Sequence, residues 1–385
     1  MIASRLAPFG TSIFGVMTRL ATEHGAINLS QGFPDFEGPP QIQDWAAQAM
    51  RDGHNQYARP MGAPPLVEAI AANLEEDYGL GYDPMTEINV TSGATEGICS
   101  ALLGLLNPGD EVLLFEPFYD SYPACIALAG ATAKVVTLRY PDFSVDFDEV
   151  EALIDERTRL VMLNTPHNPT GKVWQRAELE RLAELCQRHD LLVVSDEVYE
   201  HLWFDQARHV PIAGIDGMRE RTLGISSTGK TFSYTGWKIG WVWGAQPLVS
   251  AVAAAHQFVT FATATPLQIA MARALRELRD DYLTQFRADY DERRQLLLSI
   301  LDRSGFQCAV PQGSYFVLAA FDGLFDGTDV DLAMHLIRQH KVAAIPPSSF
   351  YSRDVAEGQR LLRFAFCKRR ETLEAASQAL ADFRP

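Results

Sequence analysis

Lys230 lies in the segment SSTGKTFSYTGWKIGW, 34 positions after Asp196 in LLVVSDEVYEHL. Serine, threonine and glycine around the lysine let a bulky group approach its amine closely. A primary amine in such a setting can condense with a carbonyl and form a covalent intermediate. Asp196 closes an apolar run, where it can meet a cation in the same cleft. It can equally cap a following helix, which aspartate does well.

Other residue types fit around this pair. Ser92-Gly93-Ala94-Thr95 follows an apolar run and opens an amphipathic stretch. Free N–H groups at a helix start suit a phosphate, although a plain strand–helix turn reads the same way. Ser227 and Lys238 can add a hydroxyl and a cation to such a cradle, or serve as a turn hydroxyl and a solvated lysine. Tyr199 and Asn168 can donate to a phenolate oxygen. A packed tyrosine and the bare turn NPTG are the ordinary readings. Tyr119 can lie flat on an aromatic ring or simply pack in a core. Arg363 sits inside the apolar segment LLRFAFC. A buried arginine needs a partner, either an internal acid or the carboxylate of a ligand held by its fork. Together these residues supply an amine, an anion for a pyridinium nitrogen, phenolate donors, a phosphate cradle and a carboxylate fork. Those are the groups needed to use pyridoxal 5'-phosphate on amino acids.

The elements that must position them are legible as short apolar runs. Strands are predicted at 88–91, 111–115, 133–138, 160–164, 191–195, 222–226 and 239–243. Amphipathic stretches between them, such as 95–106 and 175–188, read as helices. This alternation predicts an α/β fold with a large, mostly parallel sheet. Five of the strands run into polar turns: SGATEG, EPFYDSY, NTPHNPTG, SDEVYE and SSTGK. Ligands of open α/β sheets bind outside the carboxyl ends of the strands, so five such endings predict one large site. Beyond residue 280 a long charged helix, about 281–304, leads into a smaller α+β pattern. The expected organisation is an N-terminal arm with part of the small domain over 1–45, a large domain over 46–280 and a small domain over 281–385. INLSQGFPDFEGPP, residues 27–40, is expected to cross between them.

The totals narrow the class. The 385 residues are 47% apolar and 21% charged, with a net charge of −16. That charge argues against non-specific binding to nucleic acid or anionic membranes. Five cysteines without a C-x-x-C pair predict neither a disulfide framework nor a metal site. A cytoplasmic setting is the simplest expectation. No secretory signal or membrane span is read in the sequence.

The motifs INLSQGFPDF, NQYARPMGAPPLVEAI, VTSGATEG, EPFYDSY, NTPHNPTGKV, SDEVYEHL, SSTGKTFSYTGWKIGW, GSYF, VAAIPPSSFYS and LRFAFCK follow one another over nearly the whole chain. In this order they resemble the class I aminotransferases of pyridoxal phosphate fold type I. The likeness is greatest to the methionine, kynurenine and glutamine-type branch, and N-succinyldiaminopimelate aminotransferases are also similar. The resemblance implies a seven-stranded large domain, a homodimer and amino-group transfer from an L-amino acid to a 2-oxo acid. By it, Lys230 is the Schiff-base lysine and Asp196 pairs with the ring nitrogen. Asn168 and Tyr199 bond the phenolate oxygen, and Tyr119 stacks on the ring. Ala94, Thr95, Ser227 and Lys238 hold the phosphate, joined by Tyr57 from the neighbouring subunit. Gly32 and Arg363 meet the substrate carboxylate. Many more distant relatives carry arginine where this chain has Lys238, which keeps the cation and loses the fork.

Phe14, Phe261, Tyr315 and Phe350 suggest an apolar or aromatic substrate pocket, and each can also be ordinary core. The stretch FVTFATATPLQ contains no cation for a second carboxylate. Arg59, two residues after Tyr57, keeps a succinylated substrate open. β-Elimination with the same residues, decarboxylation or synthesis on this fold, and a regulator with a DNA-binding segment are the alternatives.

Overall fold

A computed structural model describes residues 2–383. All seven predicted runs are strands of one sheet. Ile88–Ser92 forms one edge and pairs with Ile239–Gly244. Next come Thr222–Ser227, Leu192–Asp196, Thr158–Asn164, Glu111–Glu116 and, at the far edge, Thr132–Thr137. Ile239–Gly244 is antiparallel to both neighbours, and every other pairing from Thr222–Ser227 outward is parallel. Most strand residues are buried whichever way they point, because helices cover both faces. Ile98, Leu102 and Val249 pack on one face, and Leu179, Leu182 and Cys186 on the other.

This topology decides where chemistry can occur. Six strands deliver their carboxyl ends to one rim of the sheet, and the antiparallel strand begins at that rim. Residues just after Ser92, Glu116, Asn164, Asp196 and Ser227, and Lys238 just before Ile239, therefore converge although they are far apart in sequence.

The C-terminal part is organised differently. Gln307–Cys308, Phe316–Ala320 and Leu361–Ala365 form a three-stranded antiparallel sheet. The helix Arg279–Arg303 buries Phe286, Tyr290 and Leu297 against it. Met17 and Ala21 of the helix Ile13–His24 join the same core, and Ile27–Asn28 pairs in parallel with Val342–Ala343. Leu29, in the segment 27–40, lies in this core, whereas Ile42 and Ala46 just beyond it pack with Val67, Ile70 and Val90 beside the large sheet. The helix Pro40–Arg51 begins inside the stretch expected to belong to the arm, because its apolar face is complementary to Thr265–Glu277.

Candidate active site

The rim encloses a cavity of about 350 Å³. At one end the helix Gly93–Leu105 begins, two residues earlier than the sequence pattern predicts. Gly93 allows this because it adopts φ +71°, and a Cβ there would stand 3.1 Å from Lys238 Nζ. Gly240 opposite is equally constrained: its Cβ would fall 2.6 Å from the Gly93 carbonyl carbon. Glu96 accepts the Ser92 N–H at 2.9 Å and faces His256 Nδ1 at 3.1 Å, fixing the helix start. The first N–H groups of a helix have no intrahelical acceptor. Ala94 and Thr95 at this end, with Lys238 and Ser227, line a pocket rich in donors and positive charge.

Asp196 is the last residue of its strand and is buried. Its Oδ2 accepts from the Tyr122 hydroxyl at 2.7 Å, and its Oδ1 from the Val198 N–H at 3.3 Å. Burial pushes its carboxyl up to about 6, opposed by those two hydrogen bonds and by the charge of Lys230. The Asn164 Nδ2 donates to the Asp196 carbonyl at 2.8 Å, and the Asn168 N–H donates to Asn164 Oδ1 at 2.8 Å. The turn after Thr158–Asn164 is thus tied to the turn after Leu192–Asp196.

Lys230 follows Thr222–Ser227 on the one-turn helix Thr228–Thr231. Its Nζ donates to the Tyr315 hydroxyl at 2.8 Å and to the Gly32 carbonyl at 3.1 Å. Burial lowers its amine to about 8. Much more of it is therefore neutral near pH 8 than for an ordinary lysine. Tyr315 also donates to Gly32 and lies edge-on to Tyr199 at 5.0 Å. From the sequence, Tyr315 is expected in the substrate wall. It lies instead under the lysine, because Phe316, its neighbour on the strand, takes the wall position.

Arg363 enters from the small sheet, fully buried. Nη1 donates to Asn168 Oδ1 at 3.0 Å and Nη2 to the Ser30 carbonyl at 2.9 Å, and Nε has no partner among the described residues. The guanidinium stacks among Phe316, Phe14 and Phe350, at 4.1, 5.0 and 5.2 Å. Burial lowers it to about 10, and it remains a cation at neutral pH. Asn168 spends its oxygen on Arg363, which leaves Nδ2 for the cavity.

Phe14, Gly32, Ala94, Thr95, Tyr119, Asn168, Asp196, Tyr199, Ser227, Lys230, Lys238 and Arg363 all line this one cavity. Phe350 is one shell behind, packed on Phe14 at 5.7 Å. Tyr57 and Phe261 do not line it. They stand 5.1 Å apart on an exposed face, because Phe261 turns outward after the helix Gln246–Val259. The Arg59 guanidinium is held by the carbonyls of Met85 and Gly62. Tyr122, Asn164 and Phe316 were missed in the sequence. The spacing of Tyr122 from Tyr119 was a usable signal, since residues three apart share a helix face.

These residues fit pyridoxal phosphate. The glycine-lined helix start with Lys238 suits its phosphate, the buried carboxylate suits a protonated ring nitrogen, and the low-pKa amine suits its aldehyde. Among the described residues no group of three or more His, Cys, Asp or Glu side chains is arranged to hold a metal, and no helix is long and apolar enough to cross a membrane.

Comparison with known proteins agrees. The chain is 44% identical to a Mycobacterium tuberculosis protein named "Probable N-succinyldiaminopimelate aminotransferase", over 99% of this chain and 98% of that one. It is 42% identical to the "Methionine aminotransferase" of Escherichia coli K12, over 98% and 97%. The solved structure of N-succinyldiaminopimelate aminotransferase from M. tuberculosis superposes with a TM-score of 0.95, covering 99% of both chains. The model of the family "Aminotransferase class I and II", whose members depend on pyridoxal phosphate, matches residues 24–380, and the chain belongs to that family.

Proposed function

We propose that this aminotransferase prefers neutral L-amino acids, aromatic or sulfur-containing ones above all, and that Lys230, Asp196 and Arg363 carry the reaction. The observation that carries this reading is the convergence of the three on one cavity, with Arg363 walled by phenylalanines. Pyridoxal phosphate, when bound, supplies an exchangeable aldehyde and an electron-accepting ring. The Ala94 and Thr95 amides, Ser227 and Lys238 would hold its phosphate. Tyr119 would cover one face of its ring, and Asn168 and Tyr199 would donate to its phenolate oxygen. Arg363, with the Gly32 backbone, orients the substrate carboxylate. That contact sets the Cα–H bond toward Lys230, whose neutral amine takes the Cα proton and holds it for return. Asp196, as carboxylate, would hold the proton on the ring nitrogen.

Donor choice follows from charge. The cations on the cavity wall are Lys230, Lys238 and Arg363, and each already has a task. A second carboxylate buried there unpaired would cost roughly several kcal/mol. Methionine, phenylalanine, leucine, glutamine or kynurenine should therefore exceed aspartate by at least tenfold in kcat/KM, or about 1.4 kcal/mol. The rival donor, a succinylated diamino acid, is suggested by the name of the 44%-identical relative. It needs another cation, and Arg59 is engaged with backbone carbonyls. The test is kcat/KM for methionine, phenylalanine, aspartate and N-succinyldiaminopimelate under one set of conditions. Aspartate as best donor rules out the apolar pocket. The succinylated compound as best donor, with that preference lost in Arg59→Ala, establishes the rival. A β-lyase would instead release pyruvate from a donor bearing a leaving group on Cβ.

The active unit is proposed to be a cytoplasmic homodimer with shared sites. Tyr57 is 81% exposed and packs edge-on with Phe261, an aromatic pair that a partner would cover. His256 and Thr265 hold the loop bearing Tyr57, through the Pro60 and Gln56 carbonyls at 3.1 and 2.7 Å. Tyr57 and Phe261 would then reach the partner's cavity. Heterodimers test this, given variants that are each strongly impaired alone. Lys230→Ala paired with Tyr57→Ala should regain one intact site, and Lys230→Ala paired with Arg363→Ala should regain none. Activity in both pairings, or in neither, refutes the sharing. The division into a large domain and a small one is likewise a proposal, with its N-terminal boundary moved to about Pro40 by the packing of Ile42 and Ala46.

A further inference from the structure

Tyr122 has no part in the roles assigned so far. It lies on the helix Ser121–Leu128, 2% exposed, with its ring edge-on to Tyr119 at 5.6 Å. Its hydroxyl makes one hydrogen bond, the 2.7 Å donation to Asp196 Oδ2. The segment that brings Tyr119 to the cavity therefore also brings a donor to the buried acid.

We propose that Tyr122 is a positioning residue for the cofactor: its hydroxyl holds the Asp196 carboxylate in place and in its ionised form, as the partner of the pyridine nitrogen. The inference rests on the reading of Asp196 given above. First, a carboxylate with one oxygen bonded only to the Val198 N–H, at 3.3 Å, is free to turn; the Tyr122 bond fixes the other oxygen. Second, burial drives Asp196 toward its neutral acid, and a neutral acid cannot hold a proton on a ring nitrogen. The Tyr122 donor opposes that drive most strongly, followed by the Val198 N–H and Lys230, while the charge of Glu197 works the other way. Of the other titratable groups near Asp196, Tyr119 and Tyr199 stay neutral phenols, both pushed up by burial. Glu197 is turned away and engages His209 at 3.0 Å. Among the described residues Tyr122 is thus the one neutral side-chain donor on this carboxylate, and burial keeps it protonated.

The experiment measures the dissociation constant of the full-length apoenzyme for two ligands, by tryptophan fluorescence across a pH series. One ligand is pyridoxal phosphate. The other is its 1-deaza analogue, in which a C–H replaces the ring nitrogen. Tyr122→Phe should weaken pyridoxal phosphate about tenfold, the scale of a lost hydrogen bond to a charged group. It should leave the analogue unchanged or tighter, and move the acid limb of cofactor affinity to higher pH. Equal weakening of both ligands, or of neither, overturns the proposal, because a structural role does not distinguish nitrogen from carbon. Asp196→Asn is the control for the underlying reading. If it too fails to discriminate between the ligands, the role of Asp196 is wrong; if it discriminates and Tyr122→Phe does not, only the role of Tyr122 is wrong. Should Tyr122→Phe not fold, 3-fluorotyrosine at position 122 keeps the shape and donates more strongly. It should move the acid limb to lower pH, and an unmoved limb overturns the proposal.

Discussion

Lys230→Ala is expected to lower transamination by more than about 10⁴-fold while leaving thermal unfolding nearly unchanged. In the proposed mechanism the amine has two tasks, covalent attachment and proton transfer. General acid–base catalysis alone contributes about 10² to 10⁴-fold, and loss of the covalent step adds to it. Among the described residues no alternative base stands in the same place: Tyr199 and Tyr315 are phenols pushed far up by burial, and neither can take a proton at neutral pH. The fold should persist because Lys230 is on a one-turn helix at the cavity wall, where it makes two hydrogen bonds and fills no core position. Borohydride reduction of the wild-type holoenzyme, followed by peptide mapping, should find the cofactor on Lys230. Label on another lysine would reject the assignment.

Asp196→Ala is the second large effect. Turnover should fall by at least about 10³-fold, the scale of removing a preorganised charged group from a water-poor site. Cofactor affinity should fall much less, because Lys238, Ser227 and the start of Gly93–Leu105 are untouched. Asp196→Asn keeps the shape and removes the charge, so it should be nearly as poor, and Asp196→Glu should recover part of the loss. Steady-state turnover at saturating cofactor is the measurement. A loss within about tenfold, or about 1.4 kcal/mol of barrier, would sink the role of Asp196 as the ring's counter-ion.

What the sequence by itself determined is local. Seven apolar runs bounded by turn residues were enough to find every strand of the large sheet, because burial on both faces leaves continuous apolar stretches. The candidate site residues stood out for a related reason. Lys230, Asp196, Asn168 and Tyr119 sit at strand ends, where polar residues break an apolar pattern visibly. Arg363 stood out as a charge inside an apolar strand. Boundaries were off by a residue or two where Gly93, in a left-handed conformation, started a helix early.

Tertiary structure decided what depends on distant pairings. Tyr122 and Asp196 are 74 positions apart and meet only because their strands, Glu111–Glu116 and Leu192–Asp196, flank Thr158–Asn164 in the sheet. Tyr315 became the partner of Lys230 rather than a pocket wall because the three-stranded sheet presents Phe316 to the cavity. Arg59 and Phe261 were drawn away, one to the Met85 carbonyl and the other to Tyr57 on an exposed face. Periodicity and turn chemistry report the few residues on either side of a position. Sheet order and the packing of the small domain set which side chains face one another, and neither leaves a periodic trace in the chain.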